Sequence, residues 1–341
     1  MRKTSINNRI IWILLAFFVW YILIGELSCL GLEDIIFSLV KEPSAGLHFV
    51  LEFYTPLLAS CAVFLIMCCV TKKNRPMLEI VRPTGAKRSM HWLAIGLLLG
   101  FLTNFFCILC AMLHGDIRFT WNFAVAQIPL MILALLSVFF QSTSEELWCR
   151  VMMYERINVH YPLWVAIVVN GTVFGLLHSF NDGITALAMT DLIACGLAYS
   201  LLRWYTGSPW ACFGIHTMWN FTQNFIFGLP NSGLVSEASM FRVDAMNAVS
   251  NLIYDYDFGV EGAIPAVFVD LLIIVVIAWL AYRQGRLGEL LVSKEQTGEA
   301  AAYRSSREEA KLLKQAAEAA KTVADDTEAE TIKTPDHEDQ A

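Results

Sequence analysis

Residues 128–150 read IPLMILALLSVFFQSTSEELWCR. Most of this stretch is apolar and of the length, about 20 residues, that carries a helix across the hydrocarbon core of a bilayer, where only internal hydrogen bonds can satisfy the backbone. It nevertheless ends in Glu145, Glu146 and Arg150. A charge inside a membrane helix is costly, so each one needs a partner or a purpose. Glu146 and Arg150 stand at i and i+4 with the acid first, the favourable order for an ion pair. Glu145 lies about 100° around the helix from Glu146 and cannot fully share that arginine. One carboxylate is thereby neutralised and the other stays available.

Working outward, the same pattern recurs along most of the chain. The 341 residues are 56% hydrophobic and 16% charged, against about a quarter charged in an ordinary soluble domain. The mean hydropathy is +0.53. The expected fold is therefore all-α and polytopic, with about eight membrane helices over residues 10–30, 47–70, 90–112, 128–150, 163–178, 184–202, 210–229 and 263–282. The first run is too long for a signal peptide and no small-residue cleavage site follows it, so it is read as a span.

Nine of the 24 Lys+Arg and 13 of the 31 Asp+Glu lie from Arg283 onward. The chain accordingly divides into an N-terminal segment (1–9), a membrane domain (10–283) with its chemical core near 128–229, and a water-soluble, Ala-rich acidic tail (284–341). The tail is expected to be helical over 306–323 and otherwise disordered, because it has too few large apolar residues to build a core. A net charge of −7 without a sustained basic block excludes the footprint of a nucleic-acid binder. The nine cysteines, odd in number, sit in apolar runs and do not read as a disulfide framework.

Lysines and arginines in short loops mark the cytoplasmic side. With the N-terminus inside, Lys72, Lys73, Arg75, Arg82, Lys87 and Arg88 share one loop, and Arg156, Arg203, Arg283 and Arg286 fall on the same side. Only Lys41, Arg118 and Arg242 remain outside, where Glu237, Asp244, Asp255, Asp257 and Glu261 gather. Both termini are thus expected in the cytoplasm, in a multi-pass protein of a bacterial plasma membrane.

Two further spans carry residues that apolar packing does not require. One contains Asn170-Gly171-Thr172-Val173-Phe174-Gly175-Leu176-Leu177-His178, where small residues allow close helix approach and Phe174 lies one turn before His178. The other places His216 and Asn220 at i and i+4, facing one partner. A free glutamate, two imidazoles and an amide suit the activation of water. Either Glu145 takes the proton, or Glu145, His178 and His216 hold a zinc whose fourth position carries the water. His48 and His160 read as structural or interfacial. Asp191 and Asp270 are equally costly within their spans and have no assigned role.

The series Glu145-Glu146-x-x-x-Arg150, Phe174-x-x-x-His178 and His216-x-x-x-Asn220, on successive helices, resembles the CPBP family of intramembrane proteases. That family includes the CAAX prenyl endopeptidases of the Ras-converting type and the bacterial Abi and bacteriocin-processing proteins. The resemblance covers about a third of the chain. It implies hydrolysis of a peptide bond in a membrane-associated protein or peptide, in a cavity open to the cytoplasm. By the same resemblance Glu145 and His178 activate water, His216 and Asn220 stabilise the oxyanion, and Glu146, Arg150 and Phe174 shape the site. The metal requirement stays open, as does the question of a prenylated substrate. Two other classes remain: a proton-coupled transporter using Glu145, His178, Asp191 and Asp270 as a relay, and a catalytically silent scaffold or immunity protein. One geometric demand follows. His178 falls about 16 residues, roughly 24 Å, beyond Pro162. It reaches Glu145 only if the fourth helix runs on past Val151 to about Arg156 or the fifth begins well outside the membrane.

Overall fold

The computed structural model of the chain describes residues 6–82, 86–244 and 250–300; the tail helix expected over 306–323 lies outside them. Numbered in chain order, the helices are α1 (Arg9–Leu39), α2 (Ala45–Val70), α3 (Pro76–Val81), α4 (Arg88–His114), α5 (Val125–His160), α6 (Leu163–Leu177), α7 (Ala186–Thr206), α8 (Trp210–Phe221), α9 (Ile264–Arg283) and α10 (Lys294–Thr297). Two four-residue strands, β1 (Arg118–Trp121) and β2 (Phe241–Asp244), pair antiparallel, with Arg118 opposite Asp244.

Six of these helices are long and apolar enough to cross a membrane, α1, α2, α4, α5, α7 and α9, where the sequence suggested about eight. The two that fall short are α6 and α8. At 15 residues, α6 is about 22 Å long against a core of about 30 Å. The 12 residues of α8 continue as a wider π-type turn over Thr222–Ile226. The shorter α8 is walled in by other helices and need not match the lipid, whereas α6 keeps one exposed stripe, Trp164, Val168, Thr172 and Leu176. Lipid-facing surface falls also on the long helices, where Trp12, Leu27, Leu98, Val275 and Trp279 are exposed.

Polar contacts gather several of the chain's basic residues at one end of the bundle. Arg9 and His160 meet Glu295, Arg156 bonds Asn74, Trp210 Nε1 donates to Val81 O at 3.0 Å, and Arg286 bonds Tyr205 O at 3.1 Å. The residues that follow α9 fold back onto this end, where Trp204 Nε1 donates to Glu289 at 2.9 Å. At the opposite end lie the strand pair, a bond from Asn251 to Asp116 at 2.8 Å and one from Asn181 to Ser232 O at 3.0 Å. The short helices α6 and α8 also run between these ends, so the expected alternation of the chain is kept.

Close helix contacts set the positions of the polar residues. A Cβ at Gly96, Gly100 or Gly214 would strike the backbone of the facing helix, at Ala211 O, Ile215 O and Leu93 O respectively, which is why α4 and α8 can touch along their length. The core between α1, α2 and α5 is built on Trp148, fully buried, stacked on Tyr21 at 5.6 Å, edge-on to Phe64 at 5.4 Å and donating Nε1–H to Ser60 at 3.0 Å.

Candidate functional site

The geometric demand on His178 is met by α5. It runs 36 residues to His160 instead of stopping at Arg150, so α6 starts far from Glu145 and returns toward it. Immediately after Glu146 the helix widens into a π-type stretch, Leu147–Met153, a departure often found at functional sites because it frees carbonyls and re-aims side chains. Cys149 O in this stretch accepts from Asn170 Nδ2, and Asn170 Oδ1 accepts from Ser200 Oγ at 3.0 Å. This chain of bonds fixes α5, α6 and α7 together. The glycines of α6 do the rest: a Cβ on Gly171 would lie 2.8 Å from Leu197 Cγ and one on Gly175 2.5 Å from Ile193 Cγ1.

Glu145, His178, His216 and Asn220 all line one cavity of about 280 Å³, together with Gln141, Phe174, Tyr21 and Tyr199. The paired carboxylates have separate duties. Glu146 is fully buried, 3.2 Å from Arg150 and hydrogen-bonded by His216 Nδ1 at 3.0 Å. Arg150, also fully buried, lies 4.1 Å above the Phe174 ring and 5.5 Å from that of Tyr199, so two aromatic faces supply what its N–H groups lack in hydrogen bonds. Phe174 therefore belongs to the support of the ion pair as well as to the cavity wall.

Glu145 is held differently. Gln141 Nε2 donates to its Oε1, and Gln141 Oε1 in turn accepts from Asn220 Nδ2 at 3.0 Å. Its Oε2 has no hydrogen-bond partner and stands 3.9 Å from His216 Nε2. That gap is too long for a direct bond and of a size that one water bridges. His178, at the end of α6, has Nδ1 2.9 Å from Phe174 O. A ring N–H must donate to that carbonyl, which leaves the Nε2 lone pair for the cavity.

Sequence reasoning missed Gln141, which ties Glu145 to Asn220. Its signal was present: an amide one turn before Glu145 on a membrane helix. It also missed Tyr199 and Glu261. Glu261 lies in a short 3-10 turn, Val260–Gly262, ahead of α9, accepts from Trp219 Nε1 at 2.8 Å and from Ser232 N and Oγ at 2.9 Å, and lines the same cavity. Burial pushes its carboxyl above the ordinary range; those hydrogen bonds and the nearby His178 oppose the shift. His48 pairs with Glu52 and His160 with Glu295, both away from the cavity.

A catalytic zinc needs three protein ligands around an open position. Among the described residues no group of three or more His, Cys, Asp or Glu side chains is placed to hold a metal ion, although the contact of His216 Nδ1 with Glu146 leaves its Nε2 free. As the side chains stand, Glu145, His178 and His216 are not gathered into such a three-ligand group.

Comparison with known families agrees with the motifs. Residues 127–222 match the Rce1-like family, type II CAAX prenyl endopeptidase Rce1-like. That segment includes Gln141 and every residue of the three motifs. No curated protein matches the chain.

Proposed function

We propose that the chain is an intramembrane endopeptidase of the CPBP type that hydrolyses a peptide bond of a membrane-associated protein or peptide through water activated by Glu145. The observation that carries this reading is the free Oε2 of Glu145, 3.9 Å from His216 Nε2 in a cavity shared with His178 and Asn220. In this reading Glu145 takes a proton from water while the His178 Nε2 lone pair accepts its other hydrogen. The water oxygen attacks the carbonyl carbon. His216, as an imidazolium, donates from Nδ1 to Glu146 and from Nε2 to the developing oxyanion, and the second Nδ2 hydrogen of Asn220 completes that cradle. Glu145 then returns its proton to the leaving amine as the C–N bond breaks. A positioned base is worth about 10²–10⁴ in rate, and each oxyanion donor about 10²–10³.

The reading places the protein in a bacterial plasma membrane with its basic end and both termini in the cytoplasm. Asn181, Asn231, Ser232 and Glu261, which line the cavity, belong to or adjoin the opposite end of the bundle. With the basic end inside, the cavity faces outward, the reverse of the cytoplasmic opening expected from sequence. Access of a membrane-impermeant substrate to intact spheroplasts tests this.

The test of the activity is cleavage of a peptide library by the detergent-purified chain. Wild type is expected to cut, and Glu145→Ala and His178→Ala to lose cleavage while remaining folded. Cleavage that survives a chelator, with no stoichiometric metal in the sample, is expected; loss of cleavage restored by zinc would overturn the metal-free route. A wild type that cuts nothing and moves a solute would instead support the relay of Glu145, His178, Asp191 and Asp270, all of which line this cavity.

A further inference from the structure

The proposed catalytic groups use only part of the cavity wall. Asp191 of α7 and Asp270 of α9 line it as well, with Glu261 beside them and Glu26 of α1 also in the lining. No lysine or arginine is in that lining, and the two histidines are its only other titratable bases. Glu261 is saturated by Trp219 and Ser232. Asp191 is not: the residue is 3% exposed and its Oδ1 has no hydrogen-bond partner. Asp270, 6% exposed, lies close enough to act on the charge of Asp191.

Two carboxyl groups facing one buried cavity without a protein donor are unstable as anions, and either a proton or a cation must compensate them. A lysine ammonium carries three donors and an arginine guanidinium five, enough to satisfy both carboxylates at once. An acidic side chain entering the same space would meet four more acids besides the one at the bond. Asp191 lies within the segment 127–222 and Asp270 well beyond it, so half of this feature comes from a part of the chain outside the matched core.

We propose that Asp191 and Asp270 form a cation subsite that selects peptide substrates with a lysine or arginine near the scissile bond. The proposal rests on the endopeptidase reading for its substrate, but the subsite itself can be measured without turnover.

The experiment uses the full chain in detergent micelles and a set of fluorescent peptides in which one position, scanned over three residues on each side of the cut, is Lys, Gln or Glu. At one position the kcat/KM for Lys is expected to exceed that for Gln by at least about tenfold, as one or two charge-assisted hydrogen bonds allow, with Glu lowest. Asp191→Asn and Asp270→Asn, which preserve side-chain size, are each expected to bring the Lys-to-Gln ratio to within about threefold of one. Binding of the same peptides to Glu145→Gln, followed by anisotropy, is expected to show the same ranking. Cleavage with no preference for Lys, as two aspartic acids merely sharing a proton would give, overturns the subsite and leaves the peptidase. A Lys preference that persists in both Asn variants overturns the assignment to these residues. Selective binding of Lys peptides without cleavage by wild type overturns the peptidase and leaves the subsite; neither binding nor cleavage overturns both.

Discussion

Two buried ion clusters lie on the single helix α5, and they differ in how well they are satisfied. Toward the basic end, Arg203 donates to Glu155 Oε1 at 2.9 Å and Lys294 donates to Oε2. Both carboxylate oxygens are occupied, and the cluster joins α5, α7 and the segment after α9. In the middle of the bundle, Glu146 meets Arg150 and His216, but Glu146 Oε2 and the guanidinium nitrogens of Arg150 have no hydrogen bond, and neither has Oε2 of the adjacent Glu145. The same residue types thus serve two ends. A cluster whose carboxylate is saturated, with only Arg203 Nε left without a bond, holds helices together; an unsaturated one beside a cavity keeps the Glu145 oxygen free for a reacting group, at a cost in stability.

The largest expected effect breaks this contrast at its catalytic side. Glu145→Gln keeps the shape and the bond to Gln141 but removes the base, so cleavage should fall about 10³-fold or more with the unfolding midpoint nearly unchanged. Glu146→Gln should do the opposite as its main effect: it leaves the Arg150 charge uncompensated in the interior, a loss of about 3–5 kcal/mol, read as a large fall in detergent Tm. The matching change at the basic end, Glu155→Gln, is expected to cost less, about 1–3 kcal/mol, because the Lys294 side chain is 20% exposed and can turn to water; cleavage per folded molecule should persist. Equal destabilisation by the two substitutions would erase the distinction between the clusters.

Smaller effects sharpen it. Gln141→Leu frees Oε1 of Glu145 and removes one partner of Asn220, and kcat should drop about 10- to 100-fold with little change in KM, as expected for a positioning residue. The weakest test lies at the surface, where Glu289 is paired with Arg286 at 3.0 Å. The Arg286 guanidinium holds the Glu289 carboxyl below its ordinary value of 4.5. That pair therefore contributes its stability above this pH and loses it as the pH falls through the lower, folded value. With the glutamate side chain 48% exposed, screening limits the contribution to about 0.5 kcal/mol, so Arg286→Ala should flatten the acid limb of the Tm profile only slightly.

How much was legible beforehand follows from range. The pairing of Glu146 with Arg150, the tilted ring contact of Phe174 with His178 at 5.0 Å and the shared face of His216 and Asn220 are spaced by one helical turn, and the period of the helix is enough to read them. The helix ends were read less well, because hydropathy does not distinguish a helix that faces lipid from one sheltered by its neighbours, as α8 is, nor show that the apolar run of α6 forms only 15 helical residues. The hydrogen bond from His216 to Glu146 crosses 70 positions of sequence, and that from Asn220 to Gln141 crosses 79. No local pattern encodes either.

The sequence by itself determined that this is a helical membrane protein, which side chains are too costly to lie in it without reason, and which of them share a helix face, since those are matters of transfer free energy and of a 3.6-residue repeat. Only the tertiary structure decided that three helices bring Glu145, His178 and His216 to one cavity, that Glu146 serves both Arg150 and His216, and that Asp191 and Asp270 face the same space. Those outcomes depend on how closely glycine-lined helices approach and where α5 ends, and contacts between distant segments are set by packing rather than by any local preference of the chain.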